Sequence, residues 1–183
     1  HEDCRRQRQM CIRDRERSNA IGRQGTAFSS GSGLSSFFQR VAGAPISWGV
    51  CEVPGWGLEL PVDRVLSEMQ ELGLAATELG SDGYLPSDPC ELREVCARYD
   101  LEMIGGFVPV VLHDPAQRDA SLAAAERAAA LMGGAGGHLF ITSMVTSFDW
   151  APRLEIDAAA WDYAAAMLDE IEEIVAGYGM QQA

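Results

Sequence analysis

From position 41 onward, short apolar runs alternate with longer stretches in which apolar residues return every three or four positions. The first pattern suits strands of a buried sheet, and the second suits helices with one covered face. Residues 44–50 (APISWGV) read as a strand, with Ile46, Trp48 and Val50 on one side. Residues 61–72 form a predicted helix whose stripe is Val62, Val65, Leu66, Met69 and Leu72, ended by Gly73. A second strand is expected over 75–79. Asp88-Pro89-Cys90-Glu91 then opens a helix with an N-cap, a proline at N1 and a carboxylate at N3. That helix carries the stripe Leu92, Val95, Cys96 and Tyr99.

A third strand falls within 102–112, with Pro109 marking the expected end of sheet pairing. An alanine-rich helix over 119–132 should close at Gly133-Gly134. Residues 138–143 (HLFITS) form a continuous apolar run, as in buried parallel sheets. The longest helix spans 157–176, with Trp161, Ala164, Ala165, Leu168, Ile171 and Val175 on one face and Gly177 as its stop. Residues 179–183 begin a fifth strand.

Strand starts near 44, 75, 102, 138 and 179 imply parallel βα units, which either a doubly wound open sheet or a barrel satisfies. The first strand lacks a GxGxxG turn into a helix. Gly49, Gly55 and Gly57 lie in a long polar loop instead, which suits the top of a barrel. The expected fold class is therefore α/β: a parallel (β/α)8 TIM barrel, truncated to about its first four βα units, because a full barrel needs roughly 250 residues.

Charge divides the chain. Residues 1–40 hold eight arginines against four acids, a net of +4, whereas residues 41–183 carry −17, and no lysine occurs. The acidic segment should repel nucleic acid and anionic membrane, and no apolar run approaches the length of a membrane span. Its acidity otherwise reads as a well-solvated helical surface. Residues 1–40 are arginine-, glutamine- and serine-rich and are expected to be a disordered or non-native leader. The string at 7–15 (QRQMCIRDR) resembles translated sequencing-adapter remnants. Five cysteines (4, 11, 51, 90, 96) show neither CxxC nor zinc spacing, and their odd count without a secretory signal leads to the expectation of a reducing cytoplasm. Cys96 falls on an apolar helix face as a small core residue, while Cys90 lies near a helix start.

The segments Ala44-Pro45-Ile46-Ser47-Trp48-Gly49-Val50, Thr77-Glu78-Leu79-Gly80, Gly83-Tyr84-Leu85-Pro86 and Gly105-Gly106-Phe107-Val108-Pro109 resemble the sugar phosphate isomerase/epimerase family, nearest its inosose dehydratase-like members of inositol catabolism. The resemblance covers residues 41–183, about half of a typical member. It implies a xylose isomerase-like TIM barrel, a sugar or cyclitol substrate, and a divalent metal, often manganese or cobalt. The metal polarises a keto or hydroxyl oxygen while a side chain moves a proton at the adjacent carbon. The family's principal ligands come from strands of the second half, so no metal ligand is assigned here. The fragment itself is expected to bind no metal and to be inactive.

Barrel chemistry sits at the carboxyl ends of strands, which selects the candidates. Glu78 would be an acid/base or bind a polyol hydroxyl; alternatively it is a structural carboxylate. His113 would carry a proton or contact substrate, or it is a loop histidine beside the Asp114-Pro115 turn. Trp48 and Phe107 would wall the pocket or fill the core, and Ser143 would hydrogen-bond substrate. His138 begins a strand at the opposite, bottom face and reads as structural. The leading expectation is part of a metal-dependent isomerase, epimerase or dehydratase that removes a proton beside a carbonyl. The alternative is an inactive sugar-binding half-barrel, or a homo-oligomer joined through exposed sheet edges.

Overall fold

The computed structural model describes residues 40–183 apart from Glu52 and Pro54, so the leader expected over residues 1–40 lies, but for Arg40, outside the described residues. Five strands alternate with four helices: β1 (Ala42–Gly43), α1 (Val62–Glu71), β2 (Ala76–Glu78), α2 (Pro89–Ala97), β3 (Glu102–Val110), α3 (Arg118–Ala135), β4 (Leu139–Met144), α4 (Ala158–Gly177) and β5 (Gln181–Gln182). The strands lie in the order β1-β2-β3-β4-β5, and every pairing is parallel. A doubly wound sheet reverses its order at a switch point. This one never reverses, so the chain winds in one direction, as in a barrel, and the open-sheet alternative falls.

The helices cover one face of the sheet. Val65, Leu66 and Met69 of α1 and Leu92, Val95 and Cys96 of α2 pack with Met103. Ala125, Ala129 and Met132 of α3 and Ala164, Met167, Ile171 and Val175 of α4 pack with Val108, Val110 and Phe140. Each large side chain fully buried here contributes about 1.5–3 kcal/mol. The α2 start forms as its sequence dictates: the Asp88 carboxylate accepts from the N–H groups of Cys90 at 2.9 Å and Glu91 at 3.0 Å, with Pro89 in the first turn. Asp157 caps α4 in the same way through Ala160 N–H.

Several expected boundaries shift. Residues 44–50 are not a strand: pairing ends at Gly43, and Pro45–Trp48 turns as a 3-10 helix closed by Gly49 at φ 87°. Proline can open such a turn but cannot donate to a sheet ladder, and Ile46 ends 59% exposed. Gly133 and Gly134 do not close α3, which runs to Ala135 and stops at the left-handed Gly136. Their missing side chains serve packing: a Cβ at Gly133 would lie 2.9 Å from Tyr178 O, and one at Gly134 2.8 Å from Pro89 Cβ. On α4 the buried stripe is Ala164, Met167, Ile171 and Val175; Trp161, Ala165 and Leu168 are exposed. Leu72 falls just past α1 and is 54% exposed.

Pro109 does not end the pairing either, since Pro109 and Val110 remain opposite Ser143 and Met144. On β3, Gly105 O accepts from Leu79 N–H toward β2, while Ile104 O and Val110 O accept from His138 and Val145 toward β4. By alternation the missing N–H of Pro109 points toward β2, which has already ended at Glu78. No ladder bond is lost.

The register slips where β2 meets β3: Thr77 pairs with Met103, but Glu78 pairs with Gly105. One extra residue therefore sits in β3, a β-bulge. Gly105 takes φ 153°, and a Cβ there would overlap the carbonyl of Leu139. The Gly105→Ala variant should lose about 2–3 kcal/mol or fail to fold, because the clash is with backbone. Gly177→Ala, with nothing within 4 Å of the added Cβ, should be neutral or slightly stabilising. Urea unfolding midpoints of the two variants compare them directly.

Candidate functional site at the carboxyl ends of the strands

Thr77 is fully buried and pairs with Met103 on the helix-covered side, so its neighbour Glu78 points to the opposite, inner face. After the bulge, Val108 and Val110 face the helices, which turns Phe107 and Pro109 inward. Phe107 lies opposite Ile141, and Pro109 opposite Ser143, in the β3–β4 register. Three of the five sequence candidates, Glu78, Phe107 and Ser143, thus share the inner face near the ends of their strands.

Glu78 closes β2 half-buried, and burial raises its carboxyl pKa above the ordinary 4.5. Among the described residues, no hydrogen bond or ion pair satisfies this carboxylate. Other acids here do have partners. Glu68 accepts from Trp48 Nε1 at 2.8 Å and Arg64 Nε at 2.9 Å, which lowers its pKa, chiefly through Arg64. Asp63 accepts from Tyr99 Oη at 2.8 Å, and Glu170 pairs with Arg118 between α3 and α4.

The Trp48 indole is tied to α1 through Glu68 and packs against the helix-side core that includes Val65, Leu66 and Met69. His113 lies beyond β3 and lines a cleft of about 580 Å³ with Met144, Trp150, Arg153, Glu155 and Trp161. Glu78, Phe107, Ser143 and Trp48 do not line that cleft. His138, as expected, sits at the opposite end of the sheet, beside Ala42, Ala76 and Glu102.

Two features escaped the sequence reading. Ser121 is completely buried: its hydroxyl donates to Val111 O at 2.8 Å and accepts from Val111 N–H at 3.1 Å. It thereby fixes the turn that presents His113, but a serine in an alanine-rich helix gives no such signal. The cleft residues Trp150, Arg153 and Glu155 lie in the loop over 145–157. Its length was the available signal, since unstructured loops this long are uncommon unless functional.

The residues described do not fit a divalent cation: no group of three or more His, Cys, Asp or Glu side chains could hold one. Cys96 is buried in the core, and burial pushes its thiol up to about 11. Cys51, Cys90 and Cys96 form no disulfide among the described residues. No described helix is long and apolar enough to cross a membrane.

A parallel sheet wound in one direction with helices on its outer face places the chain in the TIM-barrel fold class. Solved structures of that class match it. A sugar phosphate isomerase/epimerase from Parabacteroides distasonis superposes at TM-score 0.58 with 13% identity, over 85% of this chain and 52% of the other. A xylose isomerase-like TIM barrel protein from Mycobacterium smegmatis, solved in complex with magnesium, gives 0.54 with 19% identity, over 78% and 53%. No family model matches the chain. In sequence it is 34% identical over 115 residues to the inosose dehydratase of Geobacillus kaustophilus, covering 62% of this chain and 37% of that protein. Together the comparisons support the sugar phosphate isomerase/epimerase family for this chain. The chain spans little more than a third of that curated relative and about half of each structure.

The raised pKa of Glu78 fixes the sign of a pH effect. The folded chain holds this proton more tightly than the unfolded chain, so stability falls as pH rises from about 4.5 through the folded-state pKa. Glu78→Gln removes that fall. The variant should be the more stable at pH 7, with the difference vanishing below about pH 4.5. Denaturant unfolding at the two pH values tests this, and a variant less stable at pH 7 would contradict it.

Proposed function

We propose that residues 41–183 supply the first βα units of a sugar or cyclitol isomerase, epimerase or dehydratase, with dehydration of a keto-inositol as the leading reaction. The observation that carries this reading is the unpartnered, inward carboxylate of Glu78 at a strand end, in a chain similar to an inosose dehydratase. In this reading a carboxylate oxygen of Glu78 takes the proton from the carbon beside the ketone, and hydroxide then leaves from the next carbon. Desolvation suits the group to that work, since it strengthens the carboxylate as a base and lets it hold the proton afterwards. Phe107 offers its ring to the C–H face of the substrate, and Ser143 offers a hydroxyl to one of the substrate's own. His113 and Trp48 take no part in this step: His113 lines the cleft beside β4, and the Trp48 indole is held to α1 by Glu68.

A divalent metal, manganese or cobalt, belongs to the proposal for the parent enzyme, on side chains other than those described. No step assigned to this chain passes through it. A cytoplasmic setting completes the reading, supported by Cys51 and Cys96, which form no disulfide among the described residues. Self-association is a second reading, favoured by β1 and β5, each of which is paired along only one side among the described residues.

The purified 183-residue chain is expected to leave keto-inositol unchanged. The full-length parent, supplied with manganese or cobalt, should dehydrate it. Glu78→Gln in the parent should lower kcat by roughly 10²–10⁴-fold with little change in KM. Undiminished kcat in that variant would remove Glu78 from the proton transfer.

A further inference from the structure

The cleft beside β4 is lined by residues other than Glu78, Phe107 and Ser143 of the inner face. Its volume of about 580 Å³ lies within the range of small-molecule pockets. Met144 lines it, and Met144 pairs with Val110, whose side chain is in the core beneath the helices. The cleft therefore opens on the helix side of the β4 end, whereas Glu78, Phe107 and Ser143 face the other way.

The cleft's lining combines two kinds of group. Trp150 and Trp161 present indole rings, and Trp161 is 55% exposed in the first turn of α4 instead of packing into the core. Arg153 and Glu155 present a guanidinium and a carboxylate that form no ion pair among the described residues, although both line the same cleft. Trp150 itself sits at φ 60°, which a bulky residue occupies at a cost. Ser147 braces this turn: its carbonyl accepts from Trp150 N–H at 3.1 Å, and its hydroxyl accepts from Ala151 N–H at 3.1 Å.

Aromatic faces beside unpaired planar donors and acceptors match one ligand chemistry: a ring with an apolar C–H face and a rim of hydroxyls. We propose that this cleft is an accessory site for an uncharged polyol ring, a monosaccharide or cyclitol. The ring packs on Trp150 and Trp161, and its vicinal hydroxyls bond to Arg153 and Glu155. A ring of hydroxyls can bond to the guanidinium and the carboxylate together, which an apolar ligand cannot.

Titration of the purified chain with myo-inositol and with glucose, read by tryptophan fluorescence, tests the site. A saturable change is expected. It should be lost in Trp150→Ala/Trp161→Ala, and the dissociation constant should rise roughly 10–100-fold in Arg153→Ala. It should persist in Trp56→Phe and in Glu78→Gln. Arg153 and Trp161 are exposed, so their separate substitution leaves the core intact if Trp150→Ala fails to fold. Absence of any saturable change overturns the proposal. So does a change that survives loss of both indoles, or one abolished by Glu78→Gln alone; the latter would put the ligand on the inner face and leave the reading of Glu78 standing.

Discussion

The contact between Gly105 and the Leu139 carbonyl governs the rest of this structure. Met103 and Val108 are five positions apart, so simple alternation would put them on opposite faces of β3. Both nevertheless face the helices, Met103 beneath α1 and α2 and Val108 beneath α3 and α4. The bulge at Gly105 resolves the conflict by absorbing one residue. It also decides which side chains reach the interior. Without it Phe107 and Pro109 would turn toward the helices, and Val108 and Val110 would face inward. The bulge needs a residue without a side chain because β4 passes directly against it. Packing on the outer face and the set of side chains on the inner face are thus fixed by one backbone irregularity.

Helices with explicit caps were legible in the sequence. Asp88-Pro89-Cys90-Glu91 and Asp157 each supply a carboxylate to bare N–H groups, which is a local matter. The apolar run into β4 was legible as a strand, although only Phe140 within it is fully buried. Residues 44–50 were not legible. Seven residues of alternating apolar character fit a strand, yet the same residues close a tight turn once Pro45 leads and Gly49 can adopt a left-handed φ. Gly133 and Gly134 misled because a glycine pair marks either a stop or a close approach, and only the positions of Tyr178 and Pro89 distinguish the two.

The same division applies to the site. Glu78 could be found because a carboxylate in an apolar strand is anomalous wherever the strand lies. Its alliance with Phe107 and Ser143 depends on the bulge, and the register of two ladders is not written in any one segment. Trp48 was expected to wall the pocket or fill the core with residues 44–50 as a strand. Once that segment turns, the indole reaches α1, and Glu68 takes its N–H.

The contrast between Glu68 and Glu78 gives the strongest physical reason for regarding the inner face as functional. Glu68 lies at the surface, accepts from Trp48 and Arg64, and has its pKa lowered by them, as expected of a carboxylate that contributes to stability. Glu78 is desolvated, accepts nothing among the described residues, and has its pKa raised. A glutamine or an aliphatic side chain would cost the fold less at that position. Local rules broken without compensation belong at sites of chemistry, and here the breach lies at the strand end, where barrel enzymes carry out their reactions.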